Sequence, residues 1–287
     1  IGQRLAVDRL VAALPTALSA LDPQGWAAAA NAIKTTDTVA KGVSTTLAIG
    51  GYTLTLTGIA KGAGMIRPDM ATMLAYIGTD ACVDSAALRR CLNTAVQRSF
   101  NRITVDGDTS TNDACVLVAT GACGMPEIRE GDECYTAFCE AVTQICERLA
   151  QLIVRDAEGA TKFITVRVSG GRNSEECLQV AYTVAHSPLV KTALFASDPN
   201  WGRILAAVGR AGLSELDVDA VQIYLDDVCI VRDGGVADGY READGQRVMD
   251  AEEILIDIRL GRGAAGETVW TSDLSLEYVR INAEYRT

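Results

Sequence analysis

Ser44-Thr45-Thr46-Leu47-Ala48-Ile49-Gly50-Gly51-Tyr52-Thr53-Leu54-Thr55-Leu56-Thr57-Gly58-Ile59 is the stretch from which the fold can be read. Two β-prone runs flank a Gly-Gly pair, the signal of a two-residue hairpin, because glycine enters positive φ without steric cost. In the second arm Leu54 and Leu56 alternate with Thr53, Thr55 and Thr57, the period-two pattern of a half-buried strand.

Upstream of the hairpin, Leu10, Leu14, Leu18 and Leu21 keep helical spacing, and Pro15 among them predicts a kink or a late helix start. A second helix is predicted from Pro23 to Ile33, broken by Thr35-Thr36-Asp37-Thr38. Downstream, the glycine-marked Lys61-Gly62-Ala63-Gly64-Met65 reads as a loop that passes through Arg67-Pro68-Asp69 into a buried strand, Met73 to Ile77. Leu88, Leu92, Ala95 and Val96 mark a helix, and a short strand is expected over Ile103 to Val105. Phe138, Val142, Ile145, Leu149 and Ile153 mark a long amphipathic helix, and Phe163 to Val168 a strand. Asn173 with Glu176 three residues on suggests a capped helix start. Val221, Ile223 and Leu225 alternate, as do Ile254, Ile256, Ile258 and Leu260, so the last third is strand-rich. Strands and helices mix without a strict βαβ rhythm, which predicts a layered α/β (α+β) fold, with mixed sheets and flanking helices, over a Rossmann or TIM fold. No repeat or linker-like stretch divides the chain, and a boundary near 168–175 would give parts 1–170 and 171–287.

Composition narrows the function classes. The 287 residues are 48% apolar and 22% charged, the balance of an ordered globular chain with room for a sizeable core. The net charge is −11 and the basic residues form no stripe, so nucleic acid is not an expected partner. No run approaches the ~20 apolar residues that span a bilayer, so neither is a membrane. Nine cysteines without a C-x-x-C pair, and a single histidine, His186, give no zinc spacing; they read as mostly buried free thiols in a reducing compartment. Ile1-Gly2-Gln3-Arg4 has neither an initiator Met nor the character of a signal peptide, and is expected to follow a missing upstream segment.

The usual catalytic sets fail. His186 is the one candidate imidazole base, there is no G-x-S-x-G, Lys61-Gly62-Ala63-Gly64 lacks the order of a phosphate loop, and the Asp106 loop has no Glu closing a calcium frame. What remains is a nucleophile that carries its own base: a threonine freed at a chain N-terminus, whose α-amine has a pKa of about 7.7 to 8.0. Ala71-Thr72 followed by Met73-Leu74 suits such a cut, with a small residue before the hydroxyl; taken alone, Thr72 reads as an ordinary strand residue.

The residues around it carry more. Lys61-Gly62-Ala63-Gly64-Met65-Ile66-Arg67-Pro68-Asp69-Met70-Ala71-Thr72-Met73-Leu74 resembles the self-cleavage region of the ornithine acetyltransferase (ArgJ) family. In that family's order follow Thr35-Thr36-Asp37-Thr38 upstream and, downstream, Val105 to Asp113, Glu158-Gly159-Ala160-Thr161-Lys162, Asp198-Pro199-Asn200-Trp201-Gly202-Arg203 and Tyr278 to Thr287.

The resemblance implies a self-cleaving ArgJ/DmpA-like fold cut between Ala71 and Thr72. It implies a glutamate N-acetyltransferase moving acetyl from N2-acetylornithine to glutamate, through an acetyl ester on Thr72, in arginine biosynthesis. Catalysis would fall to Thr72, and substrate binding to Thr38, Lys61, Thr72, Glu158, Asn282 and Thr287. Lys61 suits a substrate carboxylate and Glu158 an ammonium. Against these roles stand plainer readings, Lys61 as a solvated loop charge, Glu158 as a helix-end charge and Thr38 as a turn residue. No bound cofactor or metal is implied, and acetyl-CoA is a possible second acetyl donor. The implied partners are the α and β chains made by the cut, in an α2β2 heterotetramer, in the cytoplasm or, for a fungal protein, the mitochondrial matrix. The family's oxyanion hole is a Thr-Gly pair upstream of the segment matching Ile1-Gly2. Two alternatives stay open: a self-cleaving aminopeptidase or amidohydrolase of related architecture, which would pass its acyl group to water, and an inactive fragment lacking that pair.

Overall fold

Hairpin, helix and strand signals resolve into two sheets, each with its own core. The computed structural model describes residues 4–67, 73–109 and 112–285. Helices α1 (Val7–Ser19) and α2 (Trp26–Ala32) precede the hairpin of β1 (Lys41–Ile49) and β2 (Tyr52–Lys61). Then come β3 (Leu74–Thr79), α3 (Ser85–Arg98), β4 (Ala114–Ala119) and α4 (Glu133–Arg155). The second half is β5 (Phe163–Gly171), α5 (Ser174–Ala185), α6 (Pro188–Phe195), α7 (Trp201–Gly209), β6 (Gln222–Leu225), β7 (Val228–Arg232), β8 (Gly235–Val236), α8 (Glu242–Met249), β9 (Glu253–Arg259), β10 (Ala265–Ser272) and α9 (Leu276–Glu284).

The first sheet has the order β1-β2-β3-β4 and the second β10-β5-β9-β6-β7-β8. Both are mixed: β3 runs parallel to β4, and β5 to β9, while their other neighbours are antiparallel. The hairpin turns at Gly50 and Gly51 with φ of 56° and 82°, the double positive φ that the Gly-Gly pair predicts.

Helix α4 lies on one face of the first sheet. Phe138, Val142, Ile145, Leu149 and Ile153, the residues that predicted it, are all buried, each worth about 1.5–3 kcal/mol of transfer free energy. A side chain at Gly58 would run into Leu149, and one at Gly78 into Trp26 of α2. Gly78 is registered with Thr57, the neighbour of Gly58, and successive strand residues face opposite ways. Trp26 therefore covers the face opposite α4. On the second sheet α5 packs against β5 and β10, and Asn173 caps it by accepting from the Glu176 N–H at 2.8 Å.

Some expectations are corrected. Helix α1 starts at Val7 and runs through Pro15 instead of starting late, and none of its residues is buried. The carbonyl that Pro15 cannot serve thus faces water, which lowers the cost of an internal proline. Ile103 to Val105 is no strand: after a 3-10 turn at Phe100–Arg102, Ile103 makes a single bridge to Trp270. All nine cysteines are free thiols, but three are fully buried and six half-buried. Among the described residues no helix is long and apolar enough to cross a membrane.

Candidate functional site

A buried lysine organises the region where the predicted site residues meet. Lys41 starts β1 on the same face as Val43, and its alternation carries the ammonium into the core, where it is 1% exposed. Its Nζ lies 2.6 Å from Asp37 and 2.5 Å from Asp156. Burying three charges is tolerable only if they pair and are hydrogen-bonded, and each of these is. Asp37 also accepts from the Gly62 N–H at 2.7 Å and the Thr35 N–H at 3.1 Å. Burial pushes its carboxyl up, but the bonds from Gly62, Lys41 and Thr35 outweigh it and hold the pKa below the usual value. Asp156 accepts from the Thr38 N–H at 3.0 Å and from the Thr38 hydroxyl.

Four of the predicted substrate-binding residues, Thr38, Lys61, Glu158 and Asn282, connect to this hub through hydrogen bonds or neighbours in the chain. Thr38 is bonded to Asp156, and Lys61 adjoins the Gly62 that bonds Asp37; the Lys61 ammonium itself lies 3.4 Å from the Thr35 hydroxyl. Glu158 follows Asp156 by two positions, and its N–H donates to the Ala63 carbonyl at 2.9 Å. Its Oε2 accepts from the Asn282 side-chain amide at 2.7 Å. A carboxylate and an ammonium thus flank one loop, Lys61 to Met65, with the Asn282 amide beside the carboxylate. That arrangement can hold a zwitterion or an amino acid's charged ends.

Lys61 is the cross-strand partner of Leu74, two positions past Thr72. Ala71, Thr72 and Thr287 lie outside the described residues.

Several residues of the site were missed by sequence reasoning. Lys41 was legible in principle, since it falls in phase with Val43 on the core face of β1, but its partners Asp37 and Asp156 were not. Asp106, which the sequence shows only in a polar loop without a calcium frame, takes the N–H groups of Met65 and Ile66 at 2.7 and 3.0 Å. Tyr278 donates its hydroxyl to the same carboxylate at 3.1 Å. Burial, then the Asp106 charge, raise its phenol well above the usual range. The stretch from Asp198 to Arg203 is structural: Asn200 caps α7 by accepting from the Arg203 N–H at 3.1 Å.

A model of the ArgJ family matches residues 1–287. The chain is 58% identical to the arginine biosynthesis bifunctional protein ArgJ of Pseudomonas fluorescens (strain Pf0-1), over all of this chain and 71% of that protein. It is 57% identical, with the same coverage, to the protein of that name from Pseudomonas syringae pv. tomato. Among solved structures, the arginine biosynthesis bifunctional protein argJ of Bacillus halodurans matches 72% of this chain and 96% of its own, at 37% identity and a TM-score of 0.68. The chain belongs to the ArgJ family of acetyltransferases.

Proposed function

We infer that the protein transfers acetyl from N2-acetylornithine to glutamate after cutting itself between Ala71 and Thr72. In the cut, the Thr72 hydroxyl oxygen attacks the Ala71 carbonyl carbon. The hydroxyl proton passes to the amide nitrogen as the C–N bond breaks, leaving an ester and a free Thr72 amine. Water then opens the ester, giving the Ala71 carboxylate and returning the hydroxyl. In turnover the same hydroxyl takes the acetyl group from N2-acetylornithine, releasing ornithine, and the glutamate amine takes it from the Thr72 ester. The freed amine of Thr72 acts as the base in both halves.

Lys61 binds a substrate carboxylate and Glu158 an ammonium, with Thr38, Asn282 and Thr287 completing the pocket. The observation that carries this reading is the β2–β3 register. It sets Lys61 opposite Leu74, two positions along the chain from Thr72, on the loop whose Ala63 carbonyl accepts from the Glu158 N–H. A solved relative that is matched over nearly its whole length yet covers 72% of this chain has the length relation that a cut inside the family would leave. Acetyl-CoA as a second donor, an α2β2 assembly of the two pieces, a division near residue 170 and a cytoplasmic, reducing location complete the proposal.

Intact mass tests the first step: pieces 1–71 and 72–287 are expected, and Thr72→Ala should stay whole. Product analysis tests the second, with N-acetylglutamate expected from N2-acetylornithine and glutamate. Release of free acetate with no transfer would sink the transferase reading in favour of a hydrolase.

A further inference from the structure

Asp106 closes a ring of hydrogen bonds around the loop and α9. One side of the ring is backbone: Met65 and Ile66 donate to the two carboxylate oxygens, and the Val105 N–H donates back to the Ile66 carbonyl at 2.7 Å. The other side is α9, through the Tyr278 hydroxyl. From Tyr278 the ring continues within the helix, because the Asn282 amide donates to the Tyr278 carbonyl at 3.0 Å as well as to Glu158. Glu158 returns it to Ala63, two residues before Met65. Met65 itself has a φ of 54°, a conformation that a non-glycine residue keeps only when its surroundings enforce it.

Resting on the acetyltransferase reading, we propose that Asp106 is a positioning residue for substrate binding: through Tyr278 it sets the distance between α9 and the Lys61–Met65 loop. It thereby holds Glu158 and Asn282 where a substrate ammonium can meet them. Asp106 touches no substrate. Its role needs a carboxylate, since two oxygens must accept from three backbone N–H groups, those of Met65, Ile66 and Asp108, and a hydroxyl at once, whereas an amide offers one acceptor oxygen. A pocket whose charged group is left free to wander binds its ligand less well, because ordering must then be supplied at binding.

The test is the kinetics of acetyl transfer from N2-acetylornithine to glutamate by Asp106→Asn and Tyr278→Phe. In Asp106→Asn the KM for N2-acetylornithine is expected to rise about tenfold, and in Tyr278→Phe about threefold, the range set by losing one or two hydrogen bonds. In both, kcat per folded molecule should change less than about threefold. Combining Asp106→Asn with Asn282→Ala should raise KM by less than the product of the single effects, because both act on the placement of Glu158. A residue that merely supports the fold would lower the melting temperature and the active fraction and leave KM alone. An unchanged KM in both variants therefore overturns the proposal. Should Asp106→Asn fail to fold, Tyr278→Phe decides, since it removes a single hydroxyl. Absence of any transfer by the unaltered protein would overturn the underlying reading and this proposal with it, an outcome distinct from an unchanged KM.

Discussion

The carboxylate of Glu158 fills the space in which any residue other than glycine at position 64 would begin its side chain. A Cβ on Gly64 would lie 2.6 Å from Oε1 and closer still to Oε2 and the carboxyl carbon. Since the Glu158 N–H is tied to Ala63, the carboxylate can escape such a Cβ only by leaving the Asn282 amide. Gly64 is therefore what lets the Glu158 carboxylate stand against the loop that begins at Lys61.

Gly64→Ala should accordingly damage binding more than folding. Displacing the group that meets an ammonium is expected to raise the KM for N2-acetylornithine by about tenfold or more, while the melting temperature falls by only a few degrees, roughly the effect of ~1 kcal/mol. Steady-state kinetics beside a thermal melt separates the two. A wild-type KM in this variant would show that Glu158 does not read the substrate.

Lys41→Met should be costly, because it strands two carboxylates in the core. The Asp37 and Asp156 side chains are 1% and 7% exposed and the Lys41 side chain 0%. Removing one partner from such a cluster typically costs about 3–5 kcal/mol. The sign with pH follows from Asp37, whose folded pKa lies below its ordinary 3.8. Its stabilisation is complete above that value and is lost as pH falls through the folded pKa. The gap between the unaltered protein and Lys41→Met should thus be widest near neutral pH and narrow below about pH 4. Urea unfolding at several pH values measures it, and a gap independent of pH would mean that the triad is not ionised as described.

Periodicity explains which of these features could be read in advance. The Gly50-Gly51 hairpin and the α4 stripe were legible because each depends on neighbours in sequence. Strand β4 was not, since Val116 and Val118 are 40% and 50% exposed at a sheet edge, which leaves no clean buried alternation. Helix α1 shows the reverse: its leucines repeat like a core face, yet Leu10, Leu14 and Leu18 are 54%, 55% and 65% exposed. The site is assembled across long separations, Thr38 with Asp156 and Asp106 with Tyr278, and no local pattern encodes such a pairing. Family resemblance gave substrate roles to Thr38, Lys61, Glu158 and Asn282, but none to the Asp106, Tyr278 and Lys41 that bond around them.

His186 should make the fold sensitive to mild acid. Burial, then the nearby Arg67 and Lys191 charges, lower its pKa to about 4 from 6.5, and its Nε2 lies 2.9 Å from the Thr104 hydroxyl. Between those values the unfolded chain binds a proton that the folded chain refuses. Stability should therefore fall as pH drops from about 6.5 to about 4, by about 2 kcal/mol once partial exposure is allowed for. His186→Gln keeps a polar group near Thr104 but cannot titrate, so its stability should vary less across that window. Equal slopes for the two proteins would remove His186 from the account.

Thr38 poses the sharpest choice between binding and scaffolding, because its hydroxyl donor is already engaged with Asp156. What it can offer a substrate is its exposed oxygen as an acceptor, held in place by that same bond. Thr38→Ser preserves both functions and should behave like the unaltered protein. Thr38→Val removes both, leaving Asp156 one donor short. It should lower stability by about 1 kcal/mol and raise the KM for N2-acetylornithine several-fold, roughly the worth of one hydrogen bond. Loss of stability with KM unchanged in Thr38→Val would assign the residue to the Lys41 hub alone and strike it from the pocket. A raised KM with stability intact would mean that the Asp156 bond matters less than the substrate contact.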